Sequence, residues 1–324
     1  MTLFERFQSL FILAAVALGL FLGQFHQVTV NAALFITPFL MIMLFGVFIQ
    51  IPLHYLGRAL KDFKFTGLNL GMNFIWTPAL AYLLGYLFLH QAPDLWVGLI
   101  MLMVTPCTDW YIVFTNIARG NVTLATAQLP WKLLLQLILL PFYLLLLAGA
   151  LVDINSDILL FSITKVLVIP FLSAFIVRQI LLKFYKENWL AEQVLPKVAI
   201  GQFIFLALAI TAMFASQGDA LMQNPAIVIQ MIPPILLFYG VNFLIGQGIG
   251  RVLKFSYENV VCFNFTTLAR NSPLSLAIAI SVFPDRPLIA LALVIGPLIE
   301  LPVLALIAQL LLLLRKKGFW LANH

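Results

Sequence analysis

The stretch MLMVTPCTDWYIVF, residues 101–114, is apolar on both sides and polar at its centre. Pro106 removes a backbone donor and bends or ends a helix. Cys107, Thr108 and Asp109 follow it directly. A helix breaker and a charge in one turn of an otherwise apolar segment mark an interrupted span. A second interruption lies at Arg270–Pro273, in the stretch ARNSPLSLAIAI (269–280).

The surrounding chain is 63 % hydrophobic and 9 % charged over 324 residues. Soluble domains carry about 25 % charged residues, so the composition is that of an integral membrane protein. Apolar runs long enough to cross roughly 30 Å of hydrocarbon indicate helices, and the alternation expected of a membrane barrel is missing. No cleavable signal is expected, since the first apolar run after Arg6 continues without a small-residue cleavage pattern. Cys107 and Cys262 both sit in apolar runs, which disfavours a disulfide framework.

Apolar runs and breaks define ten expected spans, at 9–25, 32–53, 66–89, 94–117, 121–149, 158–181, 198–216, 225–249, 259–282 and 287–314. Alternate connections and both termini hold Arg6, Arg58, Lys61, Lys64, Arg119, Arg178, Lys183, Lys186, Lys197, Arg251, Lys254, Arg315, Lys316 and Lys317. The opposite set holds Arg286 alone among basic residues, with Asp94, Asp153, Asp157, Asp219 and Asp285. This excess of positive charge on one side places both termini in the cytoplasm. Ten spans divide into 1–150 and 151–324, and a five-span repeat inverts its second copy. Spans 4 and 9 break at corresponding depths, the pattern that points to a transport site.

Three basic residues remain inside spans, Lys132, Lys165 and Arg270, with two acids, Asp109 and Glu300. A charge at the bilayer centre costs about 2.5–3.5 kcal/mol on insertion scales, so such groups face protein or water. Lys132 lies roughly 16 Å into span 5 at 1.5 Å per residue, and Glu300 is at similar depth in span 10. Asp109 and Arg270 stand at the two breaks, so a neutral cluster of the four is expected, either as an inter-helix brace or as working machinery. Lys165 is read as snorkelling outward. Cys262 is read as packing, and His26, His54, His90 and His324 as interfacial or terminal. No metal-ligand cluster, cofactor motif or nucleophile–base spacing suggests an enzyme, and the positive balance reads as topology rather than nucleic-acid binding.

TPCT (105–108), followed by ARGN (118–121), resembles the APCT…KGD segment of arsenical-resistance permeases. ARNSPLSLAIAI resembles their ARNNFELAIA, and VIGPLIELPVL (294–304) their final-span VIGPLIEVPVL. That family lies within the bile acid:sodium symporter superfamily. The resemblance implies an all-α fold of ten transmembrane helices in two inverted five-helix repeats, a panel and a core domain, and crossing broken helices 4 and 9. It also implies Cys107 as thiol ligand and Glu300 as proton carrier in arsenite or antimonite efflux at the plasma membrane. Thr108, Arg270, Asn271 and Ser272 would line the substrate position, Pro106 and Pro273 would mark the breaks, and Asp109 and Lys132 would complete the charge network. Where sodium-coupled members place sodium ligands, this chain has Tyr111, Ile112, Thr266 and Arg270, so both sodium sites are expected to be absent. Asp109, Trp110, Tyr111, Pro273, Leu274 and Lys132 depart from the arsenical pattern. They keep open a small organic anion as cargo, with Arg270 and Lys132 as its carboxylate clamp.

Overall fold

The computed structural model describes residues 3–50, 62–108, 110–223 and 225–317. Asp109, Arg58 and Lys61 lie outside the described residues. The protein is all-helical, and no strand occurs among the described residues. In chain order the helices are α1 (Leu3–Leu22), α2 (His26–Ile49), α3 (Phe63–Leu89), α4 (Pro93–Met103), α5 (Trp110–Ile117) and α6 (Val122–Ala148). They continue as α7 (Ser156–Phe184), α8 (Leu195–Gln223), α9 (Pro225–Val252), α10 (Tyr257–Leu268), α11 (Ser272–Val282) and α12 (Pro287–Lys316). Seven helical segments among the described residues are long and apolar enough to cross a membrane. Two further segments are interrupted, α4–α5 between Met103 and Trp110 and α10–α11 between Leu268 and Ser272.

The chain forms two compact units. The first comprises residues 1–51, 154–227 and 273–294. In it α2 and α1 lie along α8, and α7 packs on α2. Phe48 meets Phe171 edge-on at 5.5 Å. The Arg178 guanidinium closes the C-terminus of α2 by donating to the Ile49 carbonyl at 2.7 Å, and it pairs with Glu187 at 2.5 Å. Helix-end carbonyls have no partner inside their own helix, so a buried arginine there satisfies what water cannot reach. Leu34, Phe161 and Phe184 stay exposed, as side chains solvated by lipid tails do.

The second unit comprises residues 52–153, 228–272 and 295–324 and contains both interruptions except Pro273. α5 ends at Arg119, whose φ of 58° is left-handed, and Asn121 caps α6 by accepting from Leu124 N–H at 3.0 Å. α9 ends alike at Lys254, φ 54°, and Ser256 caps α10. The two turns meet: Asn121 N–H donates to the Glu258 carbonyl at 2.9 Å, and its amide to Asn259 at 2.9 Å. α6 and α10 therefore start side by side and run in the same direction. Small residues let helices approach where no hydrophobic effect drives them together. A Cβ on Gly246 of α9 would lie 2.5 Å from Asn264 of α10, and one on Gly296 of α12 would lie 2.7 Å from Leu102.

Candidate functional site

The two interruptions face each other. Pro106 and Arg270 form an antiparallel bridge. Cys107 N–H donates to the Ala269 carbonyl at 3.0 Å, and Asn271 N–H to the Thr105 carbonyl at 2.7 Å. Pro106 has no N–H to give, which suits an isolated bridge flanked by bonds from its neighbours. Pro273 stands differently: it is the second residue of α11, where proline's fixed φ suits a starting helix. The gap itself is Ala269–Asn271.

Cys107 is 3 % exposed, and its sulfur accepts the backbone N–H of Trp110 at 3.3 Å. Trp110 is the first residue of α5, so the sulfur sits at the positive end of that helix's dipole. Thr108, Asn271 and Ser272 are buried beside it in sequence and fold. The Ser272 hydroxyl would lie 2.8 Å from a Cβ on Gly296, which ties that close approach to the site.

Arg270 is 1 % exposed and makes four side-chain hydrogen bonds to the protein. Its Nε donates to the Leu268 carbonyl (3.1 Å), one terminal nitrogen to the Met103 carbonyl (2.9 Å), and the other to Asn73 Oδ1 (3.2 Å) and the Thr267 carbonyl. Its plane also faces the Phe238 ring at 5.1 Å. Met103 ends α4, and Thr267 and Leu268 end α10. One guanidinium thus closes the C-termini of both interrupted helices. Lys132 does related work: Nζ donates to the Thr266 carbonyl at 2.6 Å and lies 4.1 Å from the Tyr111 ring centre. Tyr111 is fixed in turn by donating its hydroxyl to the Ala125 carbonyl at 3.0 Å. Glu300, 2 % exposed, accepts the backbone N–H of Arg270 at 2.8 Å rather than its guanidinium. The Tyr239 hydroxyl lies within electrostatic reach of Glu300.

Glu300, Arg270 and Lys132 are therefore gathered at the crossing, but the cations answer helix-end carbonyls instead of the acid. Lys165 belongs to the first unit and is exposed on α7, and Cys262 is buried within α10. A polar row that charge counting passes over completes the site. Thr66, Asn69, Asn73 and Thr77 recur every three or four residues on α3, all at most 3 % exposed. Asn69 donates to the Thr266 hydroxyl at 2.5 Å, and Gln128 of α6 donates to the Thr66 hydroxyl at 3.0 Å. Asn73 lies in an i→i+5 turn, Met72–Trp76, of the kind that recurs at functional positions.

Interrupted helices whose carbonyl ends meet buried cations in an otherwise apolar, multi-span protein define a membrane transporter. Residues 37–224 match the model of the Sodium Bile acid symporter family, and the chain belongs to that family. It is similar to the arsenical-resistance protein Acr3 of Corynebacterium glutamicum, 27 % identical over 334 residues covering 97 % of this chain and 90 % of the relative. An uncharacterized transporter of Synechocystis is 23 % identical over 99 % of this chain and 90 % of its own length. The Acr3 of Alkaliphilus metalliredigens is 21 % identical over 95 % of this chain and 92 % of its own.

Proposed function

We propose that this transporter expels arsenite or antimonite by alternating access, in exchange for protons, from the cytoplasm across the plasma membrane. The observation that carries the reading is the Cys107 sulfur held at the N-terminus of α5, inside the crossing of the two interruptions. At neutral pH arsenite is chiefly uncharged As(OH)3, whose soft centre suits a thiol. The sulfur bonds arsenic, the thiol proton leaves with one displaced hydroxide as water, and hydrolysis on the far side reverses the step. A single thiol holds the cargo weakly enough to release it. Thr108, Asn271 and Ser272 line the position, and Glu300 carries the proton, with Asp109 completing the charge network. The ten spans form two inverted halves, 1–150 and 151–324, with both termini cytoplasmic, as the distribution of basic residues supports.

The fixed cations bear on both coupling and cargo. In sodium-coupled transporters, helix-end carbonyls hold the ion. Here Arg270 and Lys132 already take the carbonyls of Met103, Thr266, Thr267 and Leu268, which supports transport without sodium. The same engagement weighs against a carboxylate clamp for an organic anion, since Arg270 spends four donor contacts on the protein. The test is arsenite accumulation in cells stripped of their own efflux systems, with wild type, Cys107→Ala and Glu300→Gln. Wild type should lower accumulation and both variants should not; equal protection by Cys107→Ala would remove the thiol from the mechanism.

A further inference from the structure

In the first unit α7 ends at Phe184, and the chain is helical again from Glu187 into α8. Leu190–Val194 within that lead-in is an i→i+5 turn, a rare form that recurs at functional positions. Beside it lies a cleft of about 410 Å³, lined by Trp189, Gln193, Val194, Lys197 and Val198. Sites for small ligands span roughly 300–1,000 Å³. Tyr185 stacks on Trp189 with ring centres 4.0 Å apart, which steadies that wall while both rings stay partly exposed.

The surroundings of the cleft are positive. Arg178, Lys183, Lys186 and Lys197 stand between residues 178 and 198 against two acids, Glu187 and Glu192. Arg178 already takes Glu187 at 2.5 Å. Among the described residues no ion pair or hydrogen bond engages the Lys197 ammonium or the Gln193 amide. The cleft continues as a groove. Lys197, Gly201, Ile204 and Leu208 follow helical spacing and share one face of α8. Nothing lies within 4 Å of a Cβ built on Gly201, so the face is notched one turn past Lys197. Ile200, Ile204 and Leu208, which flank and extend the notch, are 48 %, 49 % and 40 % exposed. From Lys197 to Leu208 is about 16 Å at 1.5 Å per residue, close to one leaflet's share of roughly 30 Å of hydrocarbon.

We infer that the cleft between Trp189 and Lys197 binds the headgroup of an anionic glycerophospholipid, with one acyl chain lying along α8 from Gly201 to Leu208. Lys197 meets the phosphate oxygens in a charge-assisted bond, and the Gln193 amide serves headgroup hydroxyls or ester oxygens. The stacked Tyr185–Trp189 pair takes the level where headgroup and chain join, as aromatic residues do at membrane interfaces. A free phosphate ion would engage Lys197 and leave the apolar groove empty. The pairing of a cationic cleft with a groove one leaflet long therefore fits an amphiphile. None of these residues belongs to the crossing, so the site does not depend on which cargo is carried. A lipid held there fixes this end of the first unit at headgroup depth.

The experiment titrates the purified, delipidated full chain in detergent with phosphatidylglycerol or phosphatidylcholine of identical chains, and counts bound lipid by native mass spectrometry. Wild type should hold phosphatidylglycerol the more tightly. Lys197→Gln should weaken that binding about fivefold, the contribution of one basic residue at an anionic surface, and Lys197→Arg should keep it. Lys165→Gln removes an exposed lysine of the same unit and should change nothing. Gly201→Leu fills the notch with a better helix former and should weaken binding severalfold. Inorganic phosphate and glycerol 3-phosphate at millimolar concentration should not displace the lipid. Displacement by either would make the cleft a site for soluble phosphate and overturn the proposal. Equal retention of the two lipids by wild type, or undiminished binding in Lys197→Gln and Gly201→Leu, overturns it as well. So does a loss in Lys165→Gln or Lys197→Arg as large as that in Lys197→Gln, the behaviour of general surface charge or of a damaged fold.

Discussion

Replacing the two buried cations of the crossing by methionine should have unequal consequences. Methionine matches the length of either stem while removing the charge. Arg270→Met orphans four acceptors: the carbonyls of Met103, Thr267 and Leu268, and Asn73 Oδ1. Four bonds at roughly 1.5–3 kcal/mol each, less the several kcal/mol spent burying the guanidinium, leave a loss of about 2–6 kcal/mol. Three of those four groups end interrupted helices that have no continuation to absorb them. Lys132→Met orphans one carbonyl, Thr266. Its charge-assisted bond is worth roughly 1.5–3 kcal/mol and the contact with Tyr111 about 1–2 kcal/mol. Against these stands the several kcal/mol spent burying an ammonium, so the net change should lie within about 2 kcal/mol of zero. Thermal unfolding in lipid nanodiscs, followed by tryptophan fluorescence, should show Arg270→Met well below wild type and Lys132→Met close to it. Transport by Lys132→Met should nevertheless fail, because the proposed charge network at the crossing loses one of its cations. Equal destabilisation by both substitutions would refute the division into a structural and a working cation.

Three other outcomes follow. Replacing sodium by choline on both sides of reconstituted vesicles should leave transport unchanged, and a sodium requirement at micromolar substrate would show that the carbonyls still take an ion. Trp110→Pro, tolerated at a first helical position, removes the N–H that meets the Cys107 sulfur. In a Cys262→Ala background it should slow modification of Cys107 by a small methanethiosulfonate about tenfold relative to Trp110→Phe, and an unchanged rate would separate the sulfur from the helix terminus. Gly296→Val should abolish transport while costing about 1–3 kcal/mol of overpacking, since its side chain meets Leu102 and Ser272; normal activity would show that α12 can move aside.

Much of the site was legible because charge and proline are rare in an apolar chain. Pro106, Cys107, Arg270 and Glu300 stand out by residue type alone, and the structure brings the described ones together. The partners of the charges were not legible. Sequence suggests that buried acids and bases pair, yet Arg270 and Lys132 take main-chain oxygens, which no side-chain count reveals. The row Thr66, Asn69, Asn73 and Thr77 was readable by the same helical spacing used for apolar faces. Neutral polar residues carry too little hydropathy penalty to be noticed singly. Pro273 was read as a breaker, while its place near the start of α11 depends on where the preceding helix stops, which residue type does not specify.

The most direct measurement is arsenite flux into everted proteoliposomes in sodium-free buffer under an imposed proton gradient, comparing wild type with Cys107→Ala. The account predicts gradient-driven accumulation by wild type and none by the variant. Accumulation that needs sodium, or that survives loss of the thiol, would contradict it.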